Sequence, residues 1–224
     1  MDEVKIDKLI RSKRRSIGLQ IAQDATLIVR APLFAAMRDV QRVVDDKRQW
    51  IISKQEMVRS RLAGRKQKKF IQGEEFLYLG KTYKLEFVRG QHKPVVLSQT
   101  IQVSDSDTEQ ISRQILAWYK TEAFRIIFER VELYALSSGV KYKSVKISCA
   151  KRRWGSCGPS GSLNFNWRLI MAPMFVLDYV VVHELAHLKI RNHSNHFWNR
   201  VAEMMPNYKN AEQWLQDNHW ELDM

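Results

Sequence analysis

Near the start of the chain, apolar positions recur every second residue. Ser16-Ile17-Gly18-Leu19-Gln20-Ile21 and Thr26-Leu27-Ile28-Val29 read as strands parted by a turn at Gln23-Asp24, and Val4-Lys5-Ile6-Asp7 alternates weakly ahead of them. From 33 to 62 the period lengthens. Val40, Val43, Val44, Ile51 and Met57 recur at helical spacing in a stretch with no Gly or Pro, predicting one long, basic, amphipathic helix closed by Gly64. Strands resume at Phe76–Leu79 and Tyr83–Val88 around a Gly80-Lys81 turn, with a further pair over Val95–Leu97 and Thr100–Val103. Asp107 or Thr108 then caps a helix running to about Leu136, which Gly139 closes.

Beyond it, Val145–Cys149 alternates as a strand and Gly155–Gly161 is a turn region. Leu163–Leu169 is a second strand, with 163, 165, 167 and 169 on one face and Asn164, Asn166 and Arg168 on the other. A hydrophobic helix over 174–191 follows. The polar run Ser104-Asp105-Ser106-Asp107 sets the expected domain boundary near 104, giving a β-rich region 1–104 with a long basic helix and a second domain 105–224. The fold class is α+β.

The helix over 174–191 carries the chemistry. His183-Glu184-Leu185-Ala186-His187 spells H-E-x-x-H behind the apolar lead-in Tyr179–Val182. Residues four apart on a helix lie about 40° apart around its axis, so His183 and His187 share a face, one turn apart, as two ligands of one metal ion must. Glu184, one step round, is placed to take a proton from water rather than to bind the metal. Catalytic zinc normally takes three protein ligands. His193 is six residues past His187, which on a continuous helix points it about 240° away. The helix must therefore stop between 188 and 192, with Asn192 as a left-handed stop and Ser194 capping a new helix that ends before Pro206. His193 ranks first as third ligand, ahead of His196 and then Glu203. His92 and His219 lack neighbours of metal-ligand type.

Charge adds a second consideration. Thirty-seven Lys and Arg against twenty-four Asp and Glu give +13. Clusters at Lys8–Arg15, Arg42–Lys69 and Lys151-Arg152-Arg153 suit an anionic partner. Two cysteines make no disulfide framework, the N-terminus has no apolar signal core, and the most apolar stretch, Leu169–Val182, is interrupted by Pro173 and Asp178. A cytoplasmic protein without membrane attachment is expected.

Arg153-Trp154-Gly155-Ser156-Cys157, Leu163–Leu169, Tyr179–Leu188, Asn192-His193-Ser194 and Phe197-Trp198, in that order, resemble the YgjP-like metallopeptidase family, distantly similar to SprT-like proteases. The resemblance implies a minimal zincin-like domain over 105–224, a sheet packed on the H-E-x-x-H helix, His183, His187 and His193 as zinc ligands, and Glu184 as catalytic base. Ile190 stands where a metzincin has its glycine, so the turn before His193 is built differently.

The leading expectation is zinc-dependent peptide hydrolysis. Arg153 and Arg168, with Tyr179 behind them, are candidates to stabilise developing negative charge, and Asn166 to contact substrate. A second reading makes the basic Lys151–Gly161 segment a phosphate holder, the substrate a nucleoside triphosphate and the metal Mg²⁺ or Mn²⁺, although two imidazoles favour zinc. A third makes the chain a nucleic-acid-binding protein, or a DNA-associated SprT-like protease, with its basic helix on the backbone.

Overall fold

The computed structural model describes residues 4–22, 24–64, 68–150, 152–222 and 224. The chain forms two compact units, Met1–Gln67 and Lys68–Met224. The division falls at 67/68 rather than near 104 because Phe76, Tyr78, Leu85, Ile101 and Val103 belong to the same buried core as the helices that follow them. Burying that shared apolar face outweighs the polar run at 104–107 as a divider.

In the first unit, β1 (Lys8–Ser12) pairs parallel with β3 (Leu27–Pro32), and β2 (Gly18–Ile21) pairs antiparallel on the other side of β3. The strand lies one step after Val4–Asp7: Asp7 instead accepts a 2.6 Å hydrogen bond from the Leu27 amide through its carboxylate, anchoring the lead-in. At the β2–β3 turn, Gln23 lies outside the described residues, while Asp24 accepts from the backbone and hydroxyl of Thr26. The long helix is two, α1 (Met37–Asp46) and α2 (Arg48–Gly64), parted at Lys47. Asp45 and Asp46 stand at the carbonyl end of α1, where the helix dipole disfavours negative charge. Val40, Val44 and Ile51 nevertheless pack on one side into a small core with Leu27, Val29 and Ala31.

In the second unit, β4 (Glu75–Tyr78) and β5 (Lys81–Val88) form the expected hairpin, with β7 (Ile101–Ser104) parallel to β5 and β6 (Val95–Leu97) antiparallel to β7. The hairpin turn is Leu79-Gly80, both at positive φ. Glycine is required at 80 because a Cβ there would lie 2.9 Å from the Pro173 Cα, and the close approach lets the Leu79 and Gly80 amides bond the Ile170 and Met171 carbonyls. Helix α3 (Thr108–Ser138) starts at Asp107, whose carboxylate accepts from the Gln110 amide, and ends on left-handed Gly139.

The second sheet has the order β8 (Ser144–Ser148), β10 (Ser162–Asn166), β9 (Gly155–Cys157), with β8 and β10 parallel and β9 on an edge. The turn region 155–161 thus contributes a short strand. Strand β10 ends at Asn166 rather than Leu169, because the Asn166 side chain accepts from the Arg168 amide and starts a 3₁₀ turn, Trp167–Met171. Trp167, Leu169, Ile170 and Met171 are then all buried.

Helix α4 (Met174–Ala186) is buried throughout its Val176–Val182 stretch and apolar there but for Asp178, as a central helix must be. Its one buried charge before the site, Asp178, is held bidentately by Arg130 of α3 at 2.5 and 2.8 Å. Helices α5 (Asn195–Met204) and α6 (Tyr208–Asn218) complete this unit, an α+β arrangement. Among the described residues no helix is long and apolar enough to cross a membrane.

Candidate metal centre

Helix α4 stops at Ala186 with His187 as its last cap, earlier than its apolar periodicity predicts. The chain tightens: the Leu188 amide bonds the Leu185 carbonyl, and the amides of Lys189 and Ile190 both bond that of Ala186. The break therefore lies at 187–190, and Asn192 is not left-handed; its side chain accepts instead from the Ser194 amide at 3.4 Å. Ser194 is the N-cap of α5 by backbone, without a side-chain cap bond. The outcome for the site matches the helical arithmetic, since the chain doubles back and His193 returns to the face of His183 and His187.

One ring nitrogen from each of His183, His187 and His193 lies within 4.8 Å of the others, an arrangement that could hold a metal ion. His193 Nε2 is 3.1 Å from both His183 Nε2 and His187 Nε2. A tetrahedral ion with metal–nitrogen bonds near 2.05 Å separates its ligand atoms by about 3.3 Å, so the donor set fits such an ion. The tautomer fits as well. His187 Nδ1 lies 3.0 Å from the Ile190 carbonyl, which only accepts, so Nδ1 carries the proton and Nε2 presents its lone pair inward. Burial holds His183 down to about 3 and, with the help of His193 and Arg191, His187 below its usual range, leaving both imidazoles neutral and able to ligate. Phe197, fully buried, stacks on His187 at 4.4 Å, and Trp198 stacks on His193 at 5.9 Å, fixing two of the rings.

Glu184 is 5 % exposed, and its Oε2 finds no partner among the described residues. Desolvation pushes its carboxyl up to about 7, against a smaller opposing pull from Arg153. Its place is set by Gly155: a Cβ on that residue would stand 2.5 Å from Glu184 Oε1 and 2.6 Å from its Cγ. The role of Gly155 in the Arg153–Cys157 motif is therefore to leave room for the carboxylate, a contact between residues 29 apart that no local pattern signals.

The other candidates separate. Arg153 is exposed and close enough for its charge to act on Glu184. Asn166 is buried, and its amide is engaged with the carbonyls of Ala150 and Arg153, so it is a positioning group rather than one facing substrate. Arg168 lies over the Trp167 ring at 4.7 Å. Tyr179 is one turn before His183, ring centroids 5.9 Å apart. His196 is exposed and outside the cluster, and Glu203 pairs with Arg200. Arg191, which the sequence does not single out, reaches the Cys157, Gly158 and Pro159 carbonyls and ties the end of β9 to the turn that delivers His193.

The sequence model of the YgjP-like metallopeptidase domain matches residues 15–218. The chain belongs to this family. No curated protein matches it. Two crystal structures are similar in part, those of the metallopeptidase zymogens of Pyrococcus abyssi abylysin and Methanocaldococcus jannaschii jannalysin. Each is 21% identical with a TM-score of 0.38 over 42% of this chain, covering 95% and 96% of the respective neighbour. As a member of the YgjP-like family the chain is a metal-dependent hydrolase. The match favours peptide or protein substrates and gives no support to the nucleotide or nucleic-acid readings.

Proposed function

We propose that the chain is a zinc peptidase in which His183, His187 and His193 hold the ion and Glu184 is the general base. The observation that supports this most is the convergence of three imidazole nitrogens at the helix that carries a buried carboxylate whose Oε2 has no partner among the described residues. Three nitrogen donors suit zinc better than Mg²⁺ or Mn²⁺, which prefer oxygen donors and six-coordination. When bound, the ion acidifies a water and polarises the scissile carbonyl.

The chain's own groups do the rest. Glu184 accepts the proton of the attacking water on Oε2 and delivers it to the departing amine, a task suited to a carboxyl tuned toward neutrality. Gly155 keeps that carboxylate aimed. Strand β9 lies at an edge of its sheet, where an extended peptide would add as a further strand, with Arg191 fixing β9 beside the histidine turn. Arg153, exposed at the mouth, supplies positive charge toward the oxyanion.

The test pairs metal analysis with proteolysis of casein and quenched-fluorescence peptides. Replacing His183, His187 or His193 by Ala is expected to abolish both zinc retention and cleavage. Glu184→Gln is expected to keep stoichiometric zinc and lose at least about 100-fold in kcat. Full activity in Glu184→Gln, or full zinc in the His193→Ala protein, would contradict the assignment.

A further inference from the structure

Beside the candidate centre lies a pocket of about 410 Å³, lined by Trp154, Tyr179, Glu212, Leu215, Gln216 and His219. A pocket of this size accommodates a large side chain or small ligand. Two of its walls are direct neighbours of the hydrolytic groups. Tyr179 precedes His183 by one turn of α4, its ring edge-on to the imidazole. Trp154 precedes Gly155, the residue on which Glu184 packs. A side chain seated in the pocket would therefore lie against residues that directly flank His183 and the Glu184 cradle.

The lining is of two kinds. Trp154, Tyr179 and Leu215 offer aromatic and aliphatic surface. Glu212, half-buried on α6, has no hydrogen bond or ion pair to a described residue, and its charge acts on the Tyr179 hydroxyl. Glu212 is the one acidic residue among the pocket's lining residues, on a chain of net charge +13. Gln216 and His219 are exposed on the same side, and the His219 Nδ1 is occupied by the Gln216 carbonyl at 3.1 Å. Tyr179 is itself held rigid, stacked on Tyr208, which stacks in turn on Trp198.

Resting on the peptidase reading above, we infer that this pocket is a specificity subsite for a lysine or arginine side chain of the substrate, with Glu212 as its counter-ion. A long cationic side chain matches both kinds of lining. Its methylenes lie along the apolar walls, its charge sits near the faces of Trp154 and Tyr179, and its end group pairs with Glu212. A leucine or phenylalanine would fill the walls but leave the half-buried carboxylate without a counter-ion, and an acidic residue would meet it with like charge.

The experiment uses the full-length zinc-loaded protein and a peptide series varied at one position near the scissile bond as Lys, Arg, Leu, Phe or Glu. Wild type is expected to cleave the Lys and Arg members with at least 10-fold higher kcat/KM than the Leu member. Glu212→Gln should cut kcat/KM on the cationic members at least 10-fold more than on the Leu member, and Glu212→Lys should turn the preference toward Glu. A cationic preference that both variants leave intact, or no such preference, overturns the assignment. A parallel arm measures binding of the same peptides to Glu184→Gln protein by calorimetry. If wild type cleaves none of the series, the peptidase reading fails. The pocket assignment then stands or falls on whether Glu212→Gln, added to that background, weakens the Lys and Arg peptides at least 10-fold more than the Leu peptide.

Discussion

Gly155 and Glu184 show what a single missing Cβ does at this site. Because a methyl group at 155 would overlap the carboxylate at 2.5 Å, Gly155→Ala is expected to retain zinc, lose about 100-fold in kcat and leave KM little changed. Steady-state kinetics normalised to metal content checks this. Glu184 also carries a pH signature in the chelated protein. Its folded value, about 7, lies above the ordinary 4.5, so the folded chain binds this proton more tightly than the unfolded chain. The stability it contributes is therefore full below 4.5 and is lost as pH rises toward 7. Urea titrations across that window should show wild type losing about 3 kcal/mol relative to Glu184→Gln.

At this scale the sequence was informative where chemistry is local. The i, i+4 spacing put His183 and His187 together, and geometry required a break before His193. The break itself falls at His187, not Asn192, because it depends on the tight carbonyl bonding of 188–190. The inward burial of Asn166 and the cradle at Gly155 depend on partners distant in sequence, which periodicity does not see.

Among the elements, α4 is the one on which the site depends. It is apolar enough to be buried on every side, and its depth gives His183 and Glu184 their shifted proton affinities. The Arg130–Asp178 pair ties it to α3. Arg130→Met would leave Asp178 buried and uncompensated, and is expected to cost about 3 kcal/mol of stability in denaturant titrations, partly restored in the Arg130→Met/Asp178→Asn double variant. Most strands and helices were legible as elements, since their apolar periods are clean. What was not legible was where periods mislead: α1 and α2 share one apolar face across the break at Lys47, and Leu163–Leu169 alternates like a strand although Asn166 turns it into a 3₁₀ segment.

For the whole molecule, the division at 67/68 separates two independent cores. Every group assigned to hydrolysis lies in the second. The fragment 68–224 is accordingly expected to unfold cooperatively and to bind one zinc ion per chain with the affinity of the full protein, as calorimetry and metal analysis would show. The polar run near 104 looked like a border because composition changes there. It is an internal loop because β4–β7 share their buried face with α3. The excess of positive charge suggested an anionic partner, a reading the family match does not support, and the pocket beside the site is lined by a carboxylate, Glu212.

The central claim is that three imidazoles and no other side chain hold a zinc ion next to Glu184. X-ray absorption at the zinc edge of the purified full-length protein tests it most directly. The expected result is one zinc per chain with three imidazole nitrogens at about 2.0–2.1 Å and one further light ligand, and no retained zinc in His193→Ala. A sulfur shell, a two-imidazole site in wild type, or an unchanged spectrum in His193→Ala would contradict it.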